Sequence, residues 1–245
     1  MAVEWRDDAI VLSARPHGET SVLASVLTRA HGRHPGLVRG GIGRAARGLW
    51  QPGNRLSVTW KARLADHLGT LTGEMTDALA ARIMDDAGRL ALLTALCAVA
   101  DAAAPEREPL PRLFDDTAAL LSLLAGVEAP DSLPAEAAYV VWELRLLADL
   151  GFGLDLSRCA ATGTNDNLVY VSPKSGRAVS ASAGEPYRDR LLPLPPFLLG
   201  HPPGPAHEMS DGLRLTGFFL ERHVFHPRNQ PLPAARERLV GRVGK

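Results

Sequence analysis

Asn54-Arg55-Leu56-Ser57-Val58-Thr59-Trp60-Lys61-Ala62-Arg63 is the stretch on which the reading of this chain turns. Its even positions, Leu56, Val58, Trp60 and Ala62, are apolar, while Arg55, Ser57, Thr59, Lys61 and Arg63 fill the odd ones. Strand side chains alternate between faces, so this pattern predicts one face in a core and the other as a row of positive charge. Trp60 then belongs to the core and is not a platform for stacking bases.

Runs of the same kind lie on both sides. Ile10 and Leu12 oppose Ala9 and Val11, Ser21 to Thr28 is rich in β-branched residues, and Leu68 to Met75 follows Ala65-Asp66-His67. Pro16-His17-Gly18-Glu19 and His31-Gly32-Arg33-His34 mark tight turns. Five short strands with almost no helix between them suit a small closed barrel, most commonly the five-stranded oligonucleotide-binding (OB) barrel; an SH3-like barrel would read much the same.

The period changes at Thr76. Leu79 to Ala100, Leu113 to Leu124 and Ala137 to Ala148 recur at three- and four-residue steps, with Pro111 and Pro134 as entries and Gly126, Gly151 and Gly153 as stops. Between 154 and 188 two short strands around turns interrupt the helices, and Asp211 to His226 and Ala234 to Val243 return to helical spacing. The expectation is an α+β multidomain chain. Residues 1–77 form the barrel, 78–153 and 189–245 an all-α domain, and 154–188 a small ribbon inserted into it.

Charge is distributed as unevenly as structure. The 245 residues sum to zero, yet 1–65 carry ten basic against four acidic residues, 66–149 five against fifteen, and 150–245 twelve against eight. No acid lies between Glu19 and Asp66, a stretch that holds Arg29, Arg33, Arg39, Arg44, Arg47, Arg55, Lys61 and Arg63. Such asymmetry points to an anionic partner for the barrel. A cationic strand face beside the cationic loop Arg39-Gly-Gly-Ile-Gly-Arg44-Ala-Ala-Arg47 suits phosphate contacts, which give affinity with little sequence preference. Trp50, at the edge of that loop, is either a stacking surface or a loop anchor.

Enzymatic chemistry finds little support. The loop at 36–48 opens no helix with phosphate-loop spacing. His223 and His226 lie three apart without further ligands, and the vicinal pairs Asp85-Asp86 and Asp115-Asp116 cannot share one helical face. His31 and His34 have no carboxylate near them in sequence. A hydrolase site in the helical domain would need an apolar pocket with two titratable groups, which the sequence does not display. Cys97 and Cys159 give no disulfide framework, and Cys97 sits in an apolar helical pattern. No apolar run reaches membrane-spanning length and the N-terminus lacks the order of a secretory signal, so a soluble, cytoplasmic protein is expected.

Ala9-Ile-Val-Leu12, Arg15, Gly18-Glu19-Thr20-Ser21, Leu27-Thr28, Gly32 and Arg39-Gly40 resemble the opening of the RecO family of DNA-repair proteins. Pro52-Gly53 ahead of the basic strand and Gly151-Phe152 ahead of the cysteine segment follow the same order. The resemblance implies an OB barrel, a helical domain and a zinc-ribbon-like insertion. It also implies non-enzymatic work in recombinational repair: single-strand capture, strand annealing and recombinase loading. The partners implied are single- and double-stranded DNA, RecR, RecF, RecA and the single-strand-binding protein, at the nucleoid. On this basis Arg33, Arg39, Arg44, Arg47, Arg55, Lys61 and Arg63 are the candidate DNA contacts. Arg112 and Arg145 are candidates for docking the acidic tail of the single-strand-binding protein. Many relatives carry two Cys-x-x-Cys pairs, but here these read Cys159-Ala-Ala-Thr162 and Ser172-Pro-Lys-Ser175, so no metal and no other cofactor is expected. Lys174 and Arg177 would then extend a positive surface. An RNA-binding barrel protein would share the same basic face.

Overall fold

The alternation of residues 55–62 becomes a strand whose inward side chains are almost completely shielded: Leu56, Val58 and Trp60 are 0, 0 and 1 % exposed. The structure is a computed structural model that describes residues 3–127 and 133–243. Strands β1 (Val3–His17), β2 (Ser21–Thr28), β3 (Gly32–Val38), β4 (Arg55–Ala62) and β5 (Thr70–Asp77) close into a barrel of order β1-β2-β3-β5-β4. A short helix, α1 (Arg44–Leu49), is inserted between β3 and β4. This is the OB architecture expected from the strand count.

Closure depends on β1. Its first half pairs with β4, from Val3 opposite Ala62 to Ile10 opposite Arg55, and its second half pairs with β2, from Ala9 opposite Thr28 to His17 opposite Ser21. A register shift between Val11 and Ser13 marks the bend, as an extra residue in one strand coils the sheet locally. Ala9, Val11, Val22, Ala24, Val26, Val38, Leu56, Val58, Trp60 and Leu71 fill the interior.

Three further helices complete the first compact unit, which spans residues 1–129: α2 (Leu79–Ile83), α3 (Ala87–Ala103) and α4 (Pro111–Leu124). These helices, which the sequence pattern groups with those that follow, pack against the barrel through contacts of α3 with β1 and β2. Ile10 and Leu12 are buried on the outer wall of β1, and α3 covers them with its apolar side. Asp86 caps α3 by accepting from the backbone N–H of Gly88 (2.8 Å) and Arg89 (3.0 Å), a role invisible in the Asp85-Asp86 doublet. Cys97 faces the Val11 carbonyl at 3.8 Å, and burial, with Asp101 adding to it, pushes its thiol up to about 12, so it serves as packing.

Gly32 shows how closely the chain after α3 lies on the barrel. A Cβ there would stand 2.0 Å from the Glu108 carbonyl oxygen, and its φ of +68° suits glycine. Arg107 donates to Ala65 O (2.8 Å) and His67 O (3.0 Å), fastening the β4–β5 loop.

The second unit, residues 130–245, contains α5 (Ala135–Asp149), α7 (Ala206–Leu220) and α8 (Ala234–Val243). Between them lies a three-stranded ribbon, β6 (Leu168–Val171), β7 (Ala178–Ser180) and β8 (Leu192–Pro193), in the order β7-β6-β8, with the single-turn helix α6 (Ala181–Gly184) following β7. The third strand is not apparent from the sequence. Arg236 of α8 forms a bidentate pair with Glu143 of α5, both bonds 3.0 Å, and Thr216 of α7 and Tyr139 also donate to that carboxylate. Burial disfavours the charged guanidinium, but the Glu143 carboxylate more than offsets it and holds Arg236 protonated. Among the described residues no helix is long and apolar enough to cross a membrane.

Candidate nucleic-acid interface

The outer face of β4 is not the purely positive row that alternation suggests. Cross-strand register sets Lys61 opposite Glu4, Ser57 opposite Asp8 and Glu74, and Arg55 opposite Asp77. Lys61 Nζ lies 2.9 Å from Glu4 Oε1, and Arg6 bridges Ser57 Oγ (2.8 Å) and Glu74 (3.0 Å). Acids from β1 and β5 thus interleave with the bases of β4. Arg63 is exposed just beyond the strand, about 26 Å along the chain from Arg55 at roughly 3.3 Å per residue.

Arg33 is also committed elsewhere. Its Nε donates to the Ala104 carbonyl at 2.9 Å, and its guanidinium lies 3.7 Å from both Asp101 and Glu106. Asp101 in turn accepts from Ser13 Oγ (2.8 Å) and Ser25 Oγ (2.6 Å), so this cluster stitches the end of α3 to β1, β2 and β3.

Arg39, Arg44 and Arg47 are different. All three are exposed, and among the described residues none forms an ion pair. Arg39 stands in the turn after β3, where Gly43 N–H donates to Gly40 O (3.1 Å). Ile42 N–H donates to Thr20 O (3.3 Å), tying this turn to the tip of the β1–β2 hairpin. Gly41 permits the approach, since a Cβ there would lie 2.8 Å from Val22 Cβ. Arg44 and Arg47, three residues apart on α1, share one face of the helix.

Asn54 holds α1 in place. Its amide donates to Gly48 O (2.8 Å) and Leu49 O (3.2 Å), and its Oδ1 accepts from Ala80 N–H (3.2 Å) at the start of α2. At 1 % exposure it is a buried clamp that the sequence does not reveal, although its place after the Pro52-Gly53 turn is a signal of sorts.

A cleft of about 300 Å³ opens beside these arginines. One wall is the β1–β2 arm, with Ala14, Pro16 and Val22; the other is formed by Ile42, Trp50 and Pro52, with Arg47 and Gln51 as its polar side chains. No acid lines it. Arg15 is on the same arm, but strand alternation directs it away from Ala14 and Pro16. Trp50 is 3 % exposed and its ring reaches within 3.4 Å of where a Gly73 Cβ would lie. It therefore anchors the loop in the barrel and offers no open stacking face.

Elsewhere the candidates separate. Arg112 lies on α4 in the first unit and Arg145 on α5 in the second; both are exposed and both already engage other groups. His31 Nδ1 meets Asp7 Oδ2 at 2.9 Å, a carboxylate brought from a distant strand. His223 stacks on Phe152 and Phe219, while His226 faces Glu221 at 3.2 Å, so the two do not act as a metal pair. Arg177 pairs with Asp155 at 3.4 Å, whereas Lys174 is exposed in the ribbon turn.

The ribbon does not fit a zinc ion. Cys159 is its single thiol; it is fully buried, accepts from Ser180 N–H (3.3 Å) and lies 3.4 Å from Ser180 Oγ. Burial pushes this thiol up, but hydrogen bonds from Ser180 and Thr162 outweigh it and bring it down to about 6. Its lone pairs are thus engaged by neutral donors, and among the described residues no three His, Cys, Asp or Glu side chains converge as a ligand set.

Comparison with known proteins agrees with this architecture. The family models described as Recombination protein O N terminal and Recombination protein O C terminal match residues 1–79 and 84–231. The DNA repair protein RecO of Rhodospirillum centenum is 56 % identical over 248 residues, covering 99 % of this chain and 96 % of its own. That of Rhodospirillum rubrum is 51 % identical over 243 residues, covering 98 and 96 %. That of Gluconacetobacter diazotrophicus is 48 % identical over 242 residues, covering 98 and 95 %. With an OB barrel, a helical second unit and both family models matched along its length, the chain belongs to the RecO family.

Proposed function

We propose that this chain is a non-enzymatic DNA-repair protein that captures single-stranded DNA on the α1 end of its barrel. The observation that carries the reading is the group Arg39, Arg44 and Arg47, exposed and without ion pairs among the described residues, next to an acid-free cleft. Cations not neutralised by neighbouring acids are available to displace the counterions of a phosphate backbone. Lys61 and Arg55 contribute less, because Glu4 pairs with the first and Asp77 stands opposite the second across the ladder. Strand annealing needs two strands held close with their charge partly neutralised, and no catalytic group. The family resemblance supports recombinase loading with RecR, RecF and RecA, tail docking of the single-strand-binding protein, double-stranded DNA as a second ligand, and a place at the nucleoid.

A salt titration of single-strand binding tests this. Replacing Arg39, Arg44 and Arg47 together by alanine should flatten the slope of log K against log salt by about two units, near 0.7 for each phosphate that is no longer neutralised. The matching change at Arg55 and Lys61 should alter it by less than about one. An unchanged slope in the first variant would overturn the reading, and a preference for structured RNA would redirect it to RNA.

A further inference from the structure

We infer that the cleft between the β1–β2 arm and the Ile42–Pro52 segment receives a base of the bound strand, so that the barrel holds both backbone and base. The inference rests on the proposed phosphate contacts of Arg39, Arg44 and Arg47 and specifies what lies between them. The walls are apolar, Ala14, Pro16 and Val22 facing Ile42, Trp50 and Pro52. At about 300 Å³ the volume sits at the lower end for small-molecule clefts, enough for a planar heterocycle.

Its polar features match a nucleotide. Arg47 stands on the lining and Arg44 one helical turn away on the same face, so cations adjoin the mouth of an apolar slot. That is the layout of a nucleotide, whose apolar ring faces are joined to an anionic backbone. Gln51 supplies an amide that both donates and accepts, serving the edge of any base without selecting one. Arg44 and Arg47 beside an acid-free lining suit a repeating polyanion better than an acidic peptide, which presents its charge at fewer points.

The slot is also held in shape before any ligand arrives. Ile42 N–H bonds to Thr20 O, Gly41 packs on Val22, Trp50 is anchored in the barrel, and Asn54 fixes the end of α1. Little ordering entropy is therefore lost when a base enters.

The test compares a thymidine oligomer of about 16 nucleotides, within the span of one OB barrel, with an abasic oligomer of the same length and charge. The protein should bind the base-bearing strand about tenfold more tightly, the effect of taking one base out of water between apolar walls. Ala14→Phe, which fills the slot from the arm, should abolish that preference, so that the two oligomers bind alike. Photocrosslinking with 5-iododeoxyuridine in the unaltered protein should map to residues 14–22 or 41–52. Equal affinity for the two oligomers overturns base capture, yet leaves the phosphate contacts standing if the triple arginine variant still weakens both. If that variant weakens neither, the phosphate reading fails and base capture falls with it. A preference that survives Ala14→Phe, or crosslinks confined to other segments, places the base elsewhere and overturns the inference. Competition by an acidic peptide with an aromatic end, with no base preference, would assign the cleft to a peptide instead.

Discussion

Replacing Arg33 by lysine separates two roles that the sequence could not tell apart. A phosphate contact tolerates lysine, because either side chain supplies the charge. The role visible in the structure does not, since Nε donates to Ala104 O at 2.9 Å while the same planar group faces Asp101 and Glu106, each at 3.7 Å. Lysine keeps the attraction to the two carboxylates but cannot reproduce that fork. The variant forgoes one hydrogen bond from a charged donor in a site where Arg33 is 20 % and Asp101 17 % exposed, about 2 kcal/mol. In a unit of this size that lowers the melting temperature by roughly 6–10 °C. Three of the four tryptophans, Trp5, Trp50 and Trp60, lie in the first unit, so with Trp142 of the second unit replaced by Phe their fluorescence in a urea or thermal titration reports its unfolding. Anisotropy with a labelled single strand reports binding on the same sample. The expected result is a destabilised protein whose DNA affinity at low temperature changes less than about twofold. Unchanged stability with weakened binding would refute the structural role and return Arg33 to the DNA-contacting set.

Asn54→Ala leaves the Ala80 N–H and the final carbonyls of α1 without their buried partner; a loss of about 2–3 kcal/mol in urea titrations is expected, together with weaker single-strand binding as Arg44 and Arg47 lose their fixed positions. Arg236→Met strands the fully buried Glu143 and should cost about 3–5 kcal/mol, most of it recovered by the double variant Glu143→Leu/Arg236→Met; failure of that recovery would show that the pair is more than mutual compensation. His34 is 5 % exposed, and burial lowers its pKa from the ordinary 6.5, against an opposing hydrogen bond to the His31 carbonyl. The folded barrel binds this proton less readily than the unfolded chain, so the stability it contributes is complete above about pH 6.5 and declines as pH falls below that value. His34→Gln should flatten this part of the pH–stability curve, and an identical decline in both proteins would exclude His34 as its source.

Much of the architecture is legible in the sequence. Alternation at 54–63 gives β4 its inward face, the Gly-Gly turn places the loop after β3, and the change of period near residue 76 marks the first helix after the barrel. These are local signals, because the period of two and the period near 3.6 follow from backbone geometry within a few residues. The chain's charge asymmetry is legible too, and it points to the segment in which Arg39, Arg44 and Arg47 lie.

Which of those charges are available was decided only by tertiary structure. Arg33 reaches Asp101 and Glu106, some seventy residues away, and Lys61 meets Glu4 across the β1–β4 ladder. Neutralisation of this kind follows from strand register and from the helix that covers β1, and an acid-free stretch of sequence carries no record of either. The same holds for the cleft, whose walls come from residues 14–22 and 41–52, and for Asn54, whose partners lie on two helices. The sequence determined a barrel with an excess of arginine; the folding of distant segments onto it determined which arginines are exposed without acidic partners.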